Sequence, residues 1–147
     1  MRELLFRGQQ RRKGEKVYMD GSPVESSWFY GNGVLQGKGD FSIIYRTEPM
    51  FEKHSVYTDT LGQYTGFTDR NGKKIYDGDI LYFPRILNCK LVTGVVVYDE
   101  YDCCFSLDIK KERDNTLLVK PLMYLLSQYD FDIIGNKWDN AELLKGE

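Results

Sequence analysis

The chain has 147 residues, a length that fits one domain with a single hydrophobic core. Charged residues make up 29% and hydrophobic residues 41%, which is typical of a globular protein and not of a disordered one. The formal net charge of −2 argues against a protein built mainly to bind DNA, whose phosphates favour a strongly basic face. No apolar run approaches the ~20 residues of a membrane span.

The N-terminal segment is locally basic, with six Arg and Lys side chains against Glu3 and Glu15 over residues 2–16. It lacks the apolar centre of a signal peptide, so we expect a cytoplasmic protein. We predict one domain over 1–147, with 1–16 as a basic arm or edge strand and 56–140 as the most ordered core.

Short apolar and aromatic runs separated by turn residues predict strands along the first half of the chain. The 11 Tyr and 8 Phe residues favour the same structure, since aromatic side chains are enriched in strands. Asn32 lies between two glycines, which predicts a turn with positive φ angles. In chain order, the expected strands are ELLFRG (an edge strand), KVYM, WFY, VL, FSIIY and HSVYTDT.

The densest turn signals lie at residues 61–80, LGQYTGFTDRNGKKIYDGDI. Asn71-Gly72 predicts a hairpin with a two-residue type I′ loop, which would place Asp69 opposite Lys74 and Phe67 opposite Tyr76. The glycines therefore serve chain reversal. A phosphate-binding loop is excluded, because no Gly-Lys pair is followed by Ser or Thr.

A further turn at Asp77-Gly78 precedes the predicted strand DILYF, which we expect Pro84 to end. The runs KLVTGVVVYD and CCFSLDI predict a second hairpin around an acidic turn, with a bulge or bend at Gly94. An apolar stripe predicts a helix in PLMYLLSQYD, in competition with a strand in TLLVKPL. We expect FDIIGN to form a last strand and DNAELLKG a helical turn. The stripe consists of Leu122, Leu125, Leu126 and Tyr129.

These elements predict a mainly β fold. We expect a strongly bent antiparallel sheet or a small SH3- or OB-like barrel, with one or two short helices near the C-terminus.

Three segments resemble the YopX family of small phage and prophage proteins: RELLFRG, GQYTGFTDRNGKKIYDGDI and IIGNKWDNAELL. The resemblance implies a phage or prophage origin and a cytoplasmic location in a bacterial host, but it implies no biochemical activity. We interpret its signature positions as mainly structural. They are Gly62, Gln63, Tyr64, Thr65, Gly66, Asp69, Asn71, Gly72, Tyr76, Asp77, Gly78, Asp79, Ile134, Gly135 and Asn136.

Residues suited to catalysis are sparse, and we predict no catalytic, cofactor-binding or metal-binding residues. The only histidine is His54, in a polar segment where we expect it to be exposed. We expect the clustered carboxylates to form turns by bonding nearby backbone amides. Cysteines in a chain without an export signal are expected to be reduced thiols. The carboxylates are Asp77, Asp79, Asp99, Glu100 and Asp102, and the cysteines are Cys89, Cys103 and Cys104.

Three functions remain open. We favour a non-enzymatic protein-interaction module that self-associates or binds a host or phage protein, because edge strands and tyrosines are plentiful. The alternative is a small barrel that binds single-stranded nucleic acid by stacking bases on Tyr64, Phe67, Tyr76 and Tyr82. A third possibility is an enzyme with carboxylates around a metal ion.

Overall fold

The computed structural model describes residues 2–15, 25–86, 90–110 and 117–144. The predicted domain contains two compact units, Met1–Tyr64 and Thr65–Glu147. The predicted strand KVYM lies outside the described residues, as does Cys89.

In the first unit, β1 pairs antiparallel with β2 on one side and with the start of β6 on the other. A separate antiparallel sheet has the order β3-β4-β5, and a 3₁₀ turn, Thr58–Thr60, follows β5. The strands are β1 (Phe6–Arg11), β2 (Ser27–Gly31), β3 (Gly33–Leu35), β4 (Phe41–Arg46), β5 (Glu52–Tyr57) and β6 (Gly62–Thr68).

The first core is small and depends on a close approach of β1 to the β3-β4-β5 sheet. Phe29, Ile44 and Val56 form its buried centre. A Cβ at Gly8 would lie 2.5 Å from Val56 Cγ2, so only glycine lets β1 lie this close. The buried backbone N–H of Gln9 donates to Thr60 Oγ1 at 2.8 Å, which satisfies this backbone donor inside the unit.

The expectation that ELLFRG is an edge strand is wrong. β1 runs between β2 and β6, and the Tyr64 amide donates to the Leu5 carbonyl at 2.8 Å, just before β1 begins. WFY and VL are separate strands, as predicted, but Asn32 does not adopt a positive φ. Instead, both glycines make room for Tyr45. A Cβ at Gly31 would clash with the Tyr45 backbone oxygen, and a Cβ at Gly33 would clash with the Tyr45 ring.

In the second unit, β6 ends in a hairpin with β7, and five antiparallel strands form a sheet with the order β11-β10-β9-β8-β12. A 3₁₀ turn, Ala141–Leu144, follows the last strand. The remaining elements are β7 (Lys74–Tyr76), β8 (Asp79–Ile86), β9 (Lys90–Asp99), β10 (Cys104–Lys110), β11 (Leu117–Pro121), α1 (Leu122–Gln128) and β12 (Asp132–Asn136).

The second core is larger and includes the predicted helical stripe. Leu122 and Leu125 of α1 are buried in it, and Leu126 and Tyr129 pack against it. The competing strand also forms, as β11, and ends where α1 begins. Within the described ranges, no helix has the length and apolar character needed to cross a membrane. The other members of the buried cluster are Ile75, Leu81, Phe83, Val96, Leu107, Ile109 and Phe131.

The mainly β prediction is confirmed: the described residues form antiparallel sheets and one short α-helix. The expectation that Pro84 ends its strand is wrong: β8 continues through Pro84, because a shift in register between Phe83 and Ile86 takes the proline out of the ladder. Gly94 marks no bulge. It pairs regularly with Leu81 and leaves room for Leu107, whose Cγ would lie 2.6 Å from an added Cβ.

The predicted type I′ hairpin is also wrong. Gly72 has a φ of +81°, but Asn71 does not have a positive φ. The Gly72 amide donates to the Asp69 carbonyl at 3.0 Å, and the Asp69 amide donates to the Lys73 carbonyl at 2.8 Å. These bonds define a three-residue loop with glycine in the left-handed position, so Asp69 lies opposite Lys73 and not opposite Lys74.

Candidate functional site

Along its central strand β4, the outward surface of the β3-β4-β5 sheet is apolar and aromatic. Along β4, Ser42 and Ile44 point inward and are buried, so the alternating residues Phe41, Ile43 and Tyr45 point outward. An antiparallel sheet with one face on the core commonly places polar residues on the other face. Here the outward residues of the central strand are hydrophobic.

The neighbouring strands extend this surface. Tyr57 lies opposite Phe41 with the ring centroids 5.1 Å apart, and Leu35 lies opposite Ile43. Phe51, just before β5, stacks on Tyr45 at 6.3 Å. We call this set the outer face. Its members are Leu35, Phe41, Ile43, Tyr45, Phe51 and Tyr57.

Several of these side chains remain largely in contact with solvent. The exposed fraction is 63% for Leu35, 55% for Phe41 and 62% for Phe51. The Tyr45 ring lies across Gly33, where an added Cβ would come within 2.0 Å of it. The missing side chain at Gly33 therefore lets an aromatic ring cover part of the β3 backbone.

One end of the outer face carries a network of charges. The Arg12 guanidinium lies 4.1 Å from the centre of the Tyr57 ring and 2.8 Å from Asp59 Oδ1. The Tyr57 hydroxyl donates a hydrogen bond to the Glu15 carboxylate. This bond lowers the pKa of Glu15, an effect that Arg12 reinforces, and it raises the pKa of Tyr57 above its ordinary value.

A shallow cleft of about 560 Å³ opens at this end. Two acidic residues, Asp40 and Asp59, line it together with one basic residue, Arg12, and two aromatic residues. This combination suits a cationic or amphipathic group better than a phosphate, because the local charge is 2 negative against 1 positive. The lining residues are Arg12, Gly39, Asp40, Phe41, Tyr57, Thr58 and Asp59.

Among the residues that the structure describes, those with chemistry suited to catalysis are not brought together. His54 is exposed, as predicted, with its ring 4.4 Å from that of Phe29. The described ranges contain no group of three or more His, Cys, Asp or Glu side chains placed to hold a metal ion. The Asp99 carboxylate accepts the Tyr101 amide at 3.0 Å, as expected of a turn former.

The cysteine prediction needs one correction. Cys103 and Cys104 were expected side by side in a strand, but Cys103 lies in the preceding turn with a φ of +51°, and β10 begins at Cys104. Both are free thiols, and the Cys103 thiol donates to the Glu100 carbonyl at 3.4 Å.

Signature residues of the central and C-terminal segments come together in the second unit. Trp138 lies over Gly78, which has a φ of +91°, and the Lys137 amide donates to the Gly78 carbonyl at 2.9 Å. The buried Asp79 carboxylate accepts the Tyr76 amide at 2.8 Å, and the Asn136 side chain accepts the Trp138 amide at 3.1 Å. These hydrogen bonds and the ring contact fix the main chain in this region.

The aromatic residues proposed from the sequence for base stacking do not form an exposed surface. Tyr64 and Tyr76 are buried, with 8% and 5% of their surface exposed. Phe67 packs against the second core, and Tyr82 is half-buried. Sequence reasoning missed the outer face, although FSIIY carries a signal for it: apolar residues at both alternations predict a strand that is apolar on two faces.

Comparison with known proteins places the chain in a family. The crystal structure of protein EF1440 from Enterococcus faecalis is similar, with 21% identity over 97% of this chain and 98% of that chain and a TM-score of 0.48. A search of the curated proteins found no match. Residues 6–145 match the family described as YopX protein. The chain therefore belongs to the YopX family.

Proposed function

We propose that this protein is a non-enzymatic interaction module that self-associates through the outer face. The phage or prophage origin and the cytoplasmic location in a bacterial host that the family resemblance implies are parts of the same proposal. The observation that carries it is the exposed, contiguous aromatic surface of the β3-β4-β5 sheet.

The physical argument rests on the cost of leaving this surface in water. Exposed apolar area is unfavourable by about 25 cal/mol per Å², and a contiguous patch loses that cost when another protein covers it. Tyrosine, phenylalanine and arginine are enriched in the buried centres of interfaces. The outer face supplies tyrosine and phenylalanine, and Arg12 lies beside it against the Tyr57 ring.

The dimensions of the outer face set the expected strength. Two strands of six residues and one of three, at ~3.4 Å per residue and ~4.8 Å between strands, give a footprint of roughly 250 Å². A stable interface of standard size buries about 800 Å² per partner. The outer face therefore predicts weak association, with a dissociation constant on the order of 10–100 µM, corresponding to about 5–7 kcal/mol.

Light scattering across a concentration series tests the proposal. We expect wild-type protein to shift from monomer towards dimer between about 10 µM and 1 mM. Leu35→Ser combined with Phe51→Ser removes two exposed apolar side chains and should weaken association at least about tenfold. The matched control is Met123→Ser with Tyr124→Ser, which changes two residues of α1 that are 68% and 54% exposed.

Two results would refute the proposal: a wild-type monomer throughout the series, or an equal loss of association in the α1 control. Retained association in the control with loss in the outer-face variant supports it.

Single-stranded nucleic acid is the second candidate ligand, because Phe41, Tyr45 and Phe51 present rings on an open sheet as stacking platforms do. The nearby carboxylates make it the weaker candidate, since phosphates would meet Asp40 and Asp59 as well as Arg12. Fluorescence anisotropy with mixed-sequence oligonucleotides distinguishes nucleic-acid binding from self-association. Salt-sensitive binding that Phe41→Ser abolishes would favour nucleic acid, and no binding at low salt would exclude it.

A further inference from the structure

We infer that the partner is a second copy packed on the outer face about a two-fold axis that runs along β4, so that β3 of each copy lies over β5 of the other. Leu35 of one copy then contacts Ser55 of the other, and Lys53 contacts the Tyr45 ring. This inference rests on the proposed self-association and adds its orientation.

The β3 edge of the outer face has one large side chain between two glycines. Leu35 is 63% exposed and lies opposite Ile43, in the middle of the face. Gly33 and Gly37 occupy the positions two residues before and two residues after it. A Cβ at Gly37 would lie 2.1 Å from the Phe41 carbonyl oxygen, so this glycine lies beside the first residue of β4. The β3 edge is therefore high at its centre and low at both ends.

The β5 edge has the opposite order of sizes. Ser55 is exposed and lies opposite Ile43, in the middle of the face. Lys53 and Tyr57, two residues to either side, point in the same direction because side chains alternate along a strand. The β5 edge is therefore low at its centre and high at both ends.

A two-fold axis along β4 brings these complementary edges together. About such an axis, the β3 edge of one copy lies over the β5 edge of the other, and positions along the strands coincide. Leu35 then lies over Ser55 of the other copy. Lys53 and Tyr57 lie over the two glycine positions. Because interface centres pack as densely as protein interiors, this fit of large against small side chains favours the arrangement.

A two-fold axis across the strands gives a poorer fit. It would place each edge over the same edge of the other copy, so that Leu35 meets Leu35 and Ser55 meets Ser55. The two leucines would hold the faces apart on one side, and a gap would remain between the serines on the other.

The contact available to Lys53 favours the same orientation. Lys53 is exposed and lies opposite Tyr45, whose ring lies across Gly33. With the axis along β4, the Lys53 ammonium of each copy meets the Tyr45 ring of the other, and aromatic faces attract cations. With the axis across the strands, Lys53 would instead approach Tyr57, whose ring already holds the Arg12 guanidinium at 4.1 Å.

Cysteine crosslinking tests the orientation. Leu35→Cys protein is mixed with isotopically labelled Ser55→Cys protein and treated with a short bis-methanethiosulfonate reagent, which spans side chains that face each other between packed sheets. Mass spectrometry identifies the linked positions, and the label shows that the two positions belong to different chains. Each variant mixed with its own labelled form reports the links from position 35 to itself and from position 55 to itself.

The expected result is a preference for the unlike pair. Links between positions 35 and 55 should exceed the links of either position to itself at least about tenfold, because only the unlike pair is held together in the dimer.

Ser55→Leu tests the same orientation through affinity. With the axis along β4, the new side chain meets Leu35 of the other copy and should weaken association about tenfold in sedimentation velocity. With the axis across the strands, it would fill the gap between the serines and strengthen association. The matched control is Ser127→Leu at an exposed position of α1, which should leave association unchanged.

The outcomes separate this inference from the proposed function. A dominant 35–55 link together with weaker association of Ser55→Leu supports the inference. Dominant links of each position to itself, or unchanged or tighter association of Ser55→Leu, overturn the orientation while self-association stands. Dimers in light scattering that form no link at either position also overturn it. If wild-type protein is a monomer at every concentration, both proposals fail.

Discussion

Gly78→Ala is expected to lower the free energy of unfolding by about 3 kcal/mol, the larger of two stability effects that the structure predicts. Gly78 has a φ of +91°, which an L-residue adopts only with strain. In addition, the new Cβ would lie 2.2 Å from Trp138 Cζ3, inside the van der Waals contact of a ring atom. Urea unfolding followed by circular dichroism measures the loss.

Gly72→Ala is the matched control for this measurement. Its φ of +81° imposes a similar backbone strain, but no atom lies within 4 Å of the position of the new Cβ. We expect it to cost only about 1 kcal/mol. In a Trp138→Ala background, Gly78→Ala should cost less than it does in the wild-type protein, because the clash with the ring is absent there. Equal losses for the two glycine variants would show that Trp138 does not pack on Gly78.

The second large effect is expected at Gly8 in β1. Gly8→Val should cost about 2–3 kcal/mol, because the new Cβ would lie 2.5 Å from Val56 Cγ2 and 3.1 Å from Ile44 Cδ1. Strand propensity alone predicts the opposite sign, since valine favours strands and glycine does not. Thermal unfolding gives the sign of the stability change, and so shows whether core packing or strand propensity dominates at this position.

Gly39→Ala provides the comparison for Gly8. It has no atom within 4 Å of the new Cβ and no positive φ, so its stability should change by less than about 0.5 kcal/mol. A Gly8→Val protein at least as stable as wild type would contradict the close approach of β1 to Val56.

Local patterns predict most of the described secondary structure, but the hairpin at Asn71-Gly72 and the strand through Pro84 differ from the prediction because of a side-chain hydrogen-bond pattern and a bulge. Asn71-Gly72 favours a type I′ turn in isolation. The Asp69 carboxylate accepts the Asn71 and Lys73 amides at 2.9 and 2.8 Å, which stabilises the longer loop instead. Pro84 is tolerated because a bulge accommodates it, and a bulge leaves no mark in the residues before the proline.

The candidate site was harder to predict than the fold. FSIIY indicates a strand, but which alternation faces the core depends on the pairing of β4 with β5 and on the approach of β1 at Gly8. The predicted stacking residues lie close together in sequence, in and beside the central signature. Tyr64 and Tyr76 belong to the interior, whereas the rings of the outer face lie outside the three segments whose sequence resembles the family.

Concentration-dependent hydroxyl-radical footprinting tests the central claim, burial of the outer face on self-association, most directly. At high concentration we expect slower oxidation of Phe41, Tyr45 and Phe51 than in dilute protein. Tyr101, which is 99% exposed, and Tyr124 of α1 should be oxidised at unchanged rates. Unchanged oxidation of the outer face in a sample that light scattering shows to be dimeric would contradict the account, as would protection centred on α1.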